Sequence, residues 1–99
     1  MINKKITEAL ELILSTSKME YFGKNDANLA VEIASNAIKI YNRWKTVIDN
    51  NPYALSIYRQ ILDLLANIYL AAKDKDSFVY IIERFSDISR TESHEGNNV

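Results

Sequence analysis

The sequence predicts an all-α protein, an antiparallel up-down-up-down four-helix bundle with a flexible C-terminal tail, on three observations. Apolar residues recur at helical spacing across four segments. The 99 residues include only two glycines and one proline, so little interrupts long helices. No span alternates apolar and polar residues for long enough to make a strand. A chain of this length holds one core, so residues 1–91 are expected to form one domain, followed by a mobile polar tail over 92–99.

The first helix is expected over about residues 3–18. Ile2, Ile6, Ala9, Leu10 and Ile13 share one stripe there, with Lys4, Lys5, Glu8 and Glu11 largely opposite. Met19, Tyr21 and Phe22 are too apolar for an open loop and are expected to cover one end of the core, with Gly23 supplying a bend. The second helix is expected unbroken over about residues 26–49, capped by Asn25 or Asp26. Its stripe steps by three and four through Ala30, Ile33, Ala37, Ile40, Trp44 and Val47, and Ala34, Tyr41 and Ile48 widen it.

Pro52 is the only proline, and it ends that run. Proline lacks a backbone N–H and disfavours helix in the residue before it, yet it fits the first position of a new helix. Asn51 is a good N-cap for a third helix over about residues 52–72. That segment is apolar nearly all round, from Ala54 and Leu55 to Tyr69 and Leu70, which predicts the most buried helix of the bundle. Lys73-Asp74-Lys75-Asp76 is the next joint, with Asp76 as cap of a fourth helix over about 77–90. Phe78, Ile81, Ile82, Phe85 and Ile88 form its inner stripe, and Tyr80, Glu83, Arg84, Asp87 and Arg90 its outer face. From Thr91 onward no apolar period remains.

Composition narrows the function. Twelve basic against thirteen acidic residues give no global electrostatic case for nucleic acid. The absence of cysteine excludes disulfides, thiolate metal sites and cysteine nucleophiles, and fits a reducing compartment. Glu8 and Glu11 interrupt the only stretch that resembles a secretion signal, and no apolar run reaches the ~18–20 residues that span a bilayer. A cytoplasmic protein is expected.

No catalytic, cofactor-binding or metal site is expected. His94 is the only histidine and falls in the polar tail, where packing cannot hold it for general-base work. Asp74 and Asp76 open like a calcium loop, but Val79 stands where the loop needs glycine and Phe85 where it needs the bidentate glutamate. Glu8 with Glu11, and Glu83 with Asp87, are carboxylate pairs that alternate with Lys and Arg as solvated charge does. Tyr41, Trp44, Tyr53, Tyr58, Tyr69 and Phe78 are read mostly as core. Tyr80 lies off the stripe of its helix beside Arg84, which is the composition of an interaction hot spot.

Three fragments carry a family resemblance. Lys39-Ile40-Tyr41 precedes the proline joint. Ile57-Tyr58-Arg59 follows it. Ile81-Ile82-Glu83-Arg84-Phe85-Ser86-Asp87-Ile88-Ser89-Arg90-Thr91 fills the last helix. In order and spacing, over roughly residues 36–91, they resemble the immunity proteins of pediocin-like (class IIa) bacteriocins, the enterocin A immunity family in particular. The resemblance implies an antiparallel four-helix bundle and a cytoplasmic, non-enzymatic protein that protects against a bacteriocin. The implied partner is the membrane-embedded mannose-phosphotransferase permease with bound bacteriocin, engaged from inside, which allows a peripheral membrane association through that partner; a monomer is expected. Arg84, Asp87, Arg90 and the tail become the implied contact residues, and Tyr80 joins them on its own chemistry. The alternative is a small helical adaptor, since Leu65-Ala66-Asn67-Ile68-Tyr69 resembles part of a tetratricopeptide repeat. Against it, Phe78 stands where that repeat wants alanine, and no copy lies 34 residues earlier.

Overall fold

A computed structural model describes the backbone of residues 2–97 and the side chains of residues 2–88. The described residues are all-α, with no strand: α1 (Ile2–Lys18), a π-helical turn (Met19–Gly23), α2 (Ala27–Arg43), α3 (Lys45–Asp49), α4 (Pro52–Ala71) and α5 (Lys75–Asn97).

The helix starts follow from local chemistry. The Asp26 side chain accepts from Leu29 N at 3.0 Å and caps α2. Asn51 accepts from Ala54 N at 3.1 Å and caps α4, with Pro52 in its first turn as expected. The cap of α5 is Asp74 rather than the expected Asp76. Its carboxylate accepts from Ser77 N at 3.2 Å and from Ser77 Oγ at 2.8 Å, so the helix begins two residues early. At the other end α5 runs to Asn97 instead of stopping near 90. Loss of the apolar period after Thr91 removes a burying face, but Glu92, Ser93, His94 and Glu95 are all compatible with helix. Of the tail expected over 92–99, Asn98 and Val99 lie outside the described residues.

The expected second helix is in fact two. Trp44 leaves helical backbone space (φ −118°, ψ 33°) and separates α2 from α3. Hydrogen bonds still run from Trp44 N to Ile40 O (2.9 Å) and from Ile48 N to Trp44 O (3.0 Å). The four-residue step is therefore kept on both sides of the break, and periodicity cannot reveal it. The break leaves Trp44 and Val47 half-buried and puts Ile48 fully inside.

The turn after α1 also differs from expectation. Its wider ring, closed by Lys24 N on Met19 O, shifts the facing of each residue. Met19 and Phe22, expected to cover the core, are 58% and 71% exposed, whereas Glu20 is buried and paired with Lys24 at 3.2 Å. Tyr21 alone packs inward, near Ala30, Leu64 and Ile68. The left-handed residue is Asn25 (φ 56°), not Gly23.

Packing falls into two parts. Helices α1, α2 and α4 pack against one another in all three pairings, and α3 closes one end on α4. Helix α5 packs along α4. Ile6, Leu10, Ala34, Ala37, Tyr41, Ile48 and ten buried α4 residues supply most of the core. From α5 only Ile81 and Ile88 are buried among the described side chains, and Ile82, expected on the inner stripe, is exposed. Leu70 and Ile2 are exposed as well.

Candidate functional site

The residues singled out from the sequence occupy one edge of α5. Tyr80, Arg84 and Asp87 follow at steps of four and three, which stacks them on one helical side. Arg84 Cζ lies 4.5 Å from the centre of the Tyr80 ring, and Arg84 Nε is 3.6 Å from Asp87 Oδ2. Tyr80 is 44% exposed, and Arg84 and Asp87 are half-buried. A hydrogen bond with Tyr80 raises the Arg84 pKa above its ordinary value; partial burial opposes this, and the charges of Asp87 and Glu83 add to it. The Arg90 side chain lies outside the described residues.

A second set of aromatic residues, assigned only to the core from the sequence, is the tyrosines of α2 and α4. Tyr58 of α4 is fully buried and stacks on Tyr41 of α2, with ring centres 4.4 Å apart and planes within 8°. Burial pushes the Tyr58 hydroxyl far above its ordinary pKa; Tyr41 adds to that shift and Arg84 opposes it, with Tyr80 and Asp87 adding smaller contributions. Burial raises the Tyr69 pKa above its ordinary value; the charge of Asp74 adds to this, Ser35 of α2 opposes it and Tyr80 adds a smaller contribution. Tyr58 thus meets α2, and Tyr69 shares a cleft with Phe78 of α5.

The Tyr41 hydroxyl is fully engaged. It donates to Asp49 Oδ1 at 2.7 Å and accepts from Lys45 Nζ at 2.8 Å, while Lys45 Nζ also meets Asp49 Oδ2 at 2.8 Å. Burial alone would lower the Lys45 pKa, but hydrogen bonds to Asp49 and Tyr41 raise it above its usual value. This triad straddles the break at Trp44 and ties α3 to the end of α2. Its spacing, Tyr41, Lys45, Asp49, was visible in the sequence as an i, i+4, i+8 ladder. The stacking of Tyr58 on Tyr41 was not visible, because nothing local marks it.

Tyr53, expected in the core, is instead exposed and donates to Glu11 Oε2 at 2.6 Å. Asn51 Nδ2 reaches Asn3 Oδ1 and Thr7 Oγ1, each at 3.4 Å, and these residues line one shallow cleft with Glu11 and Tyr53. At the α4–α5 joint an apolar cleft of about 280 Å³ is framed by Tyr69, Leu70 and Phe78, with Lys73 and Lys75 at its rim. Among the described residues no cluster of His, Cys, Asp and Glu could hold a metal ion, and no helix is long and apolar enough to cross a membrane.

The α5 edge presents an aromatic ring and a guanidinium together, on a helix packed along α4. In comparisons with known proteins, no family model, no curated protein and no solved structure matches this chain.

Proposed function

We propose that this is a bacteriocin immunity protein of the pediocin-like type, cytoplasmic and acting by binding rather than by catalysis. The observation that carries the reading is the single edge formed by Tyr80, Arg84 and Asp87 on the last helix. Two of those residues come from the family resemblance, and the third from its exposed aromatic chemistry. Their convergence on one surface supports a partner contact there, with the permease–bacteriocin complex as the partner.

The helix directions support the bundle that the resemblance implies. Asn51 against Asn3, and Tyr53 against Glu11, place the starts of α1 and α4 side by side. Tyr41 against Tyr58, and Ala30 beside Leu64 and Ile68, run α2 the opposite way. Phe78 beside Tyr69 turns α5 back along α4. The up-down-up-down order is thereby favoured, in a variant whose last helix lies on the third.

The test is expression in a sensitive strain challenged with a panel of class IIa bacteriocins. Protection against at least one is expected. No protection against any, with the protein present in the cells, would sink the reading and favour the helical adaptor.

A further inference from the structure

The joint between α4 and α5 is closed by two backbone hydrogen bonds. Asp74 N donates to Tyr69 O at 2.9 Å, and Lys73 N donates to Leu70 O at 3.1 Å. This pair of bonds ends a helix whose next residue turns left-handed, and glycine is the usual occupant of that position. Here the residue is Lys73, with φ 60°. A Cβ is crowded in that conformation, so the lysine is held at a cost in local strain. A side chain kept against its own backbone preference raises the question of what it reaches.

Lys73 stands with Lys75 at the rim of the apolar cleft of about 280 Å³ walled by Tyr69, Leu70 and Phe78. Leu70 is 61% exposed, and Tyr69 and Phe78 are half-buried, so the walls are open to an incoming group. Among the described residues neither lysine is ion-paired. The one carboxylate that lines the cleft, Asp74, is taken up by Ser77, accepting from its backbone N at 3.2 Å and its hydroxyl at 2.8 Å. An anion arriving at the rim meets two cations and one acid already engaged.

Volume and charge separate the classes of occupant. Pockets for small molecules span ~300–1,000 Å³ and enclose most of the ligand. This cleft is smaller and open on one side, which suits a single side chain anchored from a larger partner. A bilayer is a poor match, because Lys73-Asp74-Lys75-Asp76 has no net charge across the width of the joint. A short peptide segment can instead set its acids on the two lysines and its apolar side chain between them.

We propose that the α4–α5 cleft is a docking site for an acidic segment of a protein partner. One apolar side chain of that segment seats between Tyr69, Leu70 and Phe78, and flanking carboxylates pair with Lys73 and Lys75. The site goes beyond the immunity reading and does not depend on it.

The probe is an acetylated, amidated pentapeptide with a central phenylalanine and two glutamates on each side, titrated into the full chain and followed by backbone-amide NMR. Saturable shifts are expected at Leu70, Lys73 and Phe78. Alanine in place of the peptide's phenylalanine should weaken binding at least about tenfold, the loss of one buried aromatic side chain. Lysines in place of its glutamates should abolish binding. Lys73→Gly should separate binding from folding. Its melting temperature should hold or rise as the left-handed strain is relieved, while peptide binding weakens roughly fivefold, the upper end for an exposed charge pair. Leu70→Asp, at an exposed position, should abolish binding with helicity unchanged. Shifts that do not saturate, equal binding of either control peptide, or undiminished binding in Lys73→Gly would each overturn the site. A fall in the melting temperature of Lys73→Gly would overturn the role given to Lys73 and make it structural. Phenylacetate bound as tightly as the peptide would overturn the protein occupant in favour of a small aromatic acid. Capture on phosphatidylglycerol vesicles that is lost in Leu70→Asp would overturn it in favour of a lipid surface.

Discussion

Helices α1, α2 and α4 are each gripped by the other two, whereas α5 is gripped along α4. The difference shows in what each part buries. The three-helix part buries Leu10, Ala34, Ala37, Ile61, Leu62 and Leu65 completely, while among the described side chains of α5 only Ile81 and Ile88 are buried. Most of the buried apolar surface therefore lies in the three-helix part. Helix α4 belongs to both parts.

Truncating the core should produce the largest effect. Leu65→Ala should cost ~4–5 kcal/mol in urea unfolding, near the top of the range for buried leucines, because neighbours on several sides hold the cavity open. Ile81→Ala on α5 should cost only ~2–3 kcal/mol, since a helix gripped along one neighbour can settle into the space. Equal costs would break the comparison between the two parts.

Loss of the α4 cap comes next. Asn51→Ala should destabilise by ~1 kcal/mol, because it orphans Ala54 N and loosens the tie to Asn3 and Thr7. Tyr58→Phe should act in the other direction and stabilise the free protein by ~1 kcal/mol, since it removes a buried hydroxyl without a partner. The same variant has a pH signature. The Tyr58 proton is held more tightly in the folded chain than in the unfolded one. Its contribution is therefore complete below the ordinary tyrosine pKa of about 10 and is lost as pH rises above it. The parent protein should lose stability above pH ~10 more steeply than Tyr58→Phe, a difference that denaturant melts across that range would resolve.

The smallest stability change is expected on the outer edge. Arg84→Gln should shift the unfolding free energy by less than ~1 kcal/mol, because the Asp87 pair is partly solvated, yet it should remove protection in the sensitive strain. A large stability loss with protection retained would make Arg84 a structural residue and would erase the division between the two parts.

Legibility in the sequence followed the range of each interaction. The start of α4 could be read at Asn51-Pro52, and its burial from an apolar pattern that leaves almost no polar face. The cap of α2 could be read at Asp26. The exposure of Phe22 could not, because a π-turn changes residue facing without changing composition. The break at Trp44 was hidden because its hydrogen bonds preserve the four-residue step. At the candidate site, Tyr80, Arg84 and Asp87 share a face by helical spacing alone, while the stacked pair of Tyr41 and Tyr58 joins α2 and α4 across the chain.

What this sequence determined by itself was helix: where apolar stripes run, where Asp26 and Asn51 start them, and which segment lies deepest. Those outcomes depend on hydrogen bonds and faces within a few residues, where spacing along the chain is spacing in space. Only the tertiary structure decided that α5 would lie along α4, that Tyr53 would turn outward, and that Tyr58 would stack on Tyr41. Those outcomes depend on which helices pack and at what rotation, and near-equivalent apolar faces leave that choice to the fit of all the side chains at once.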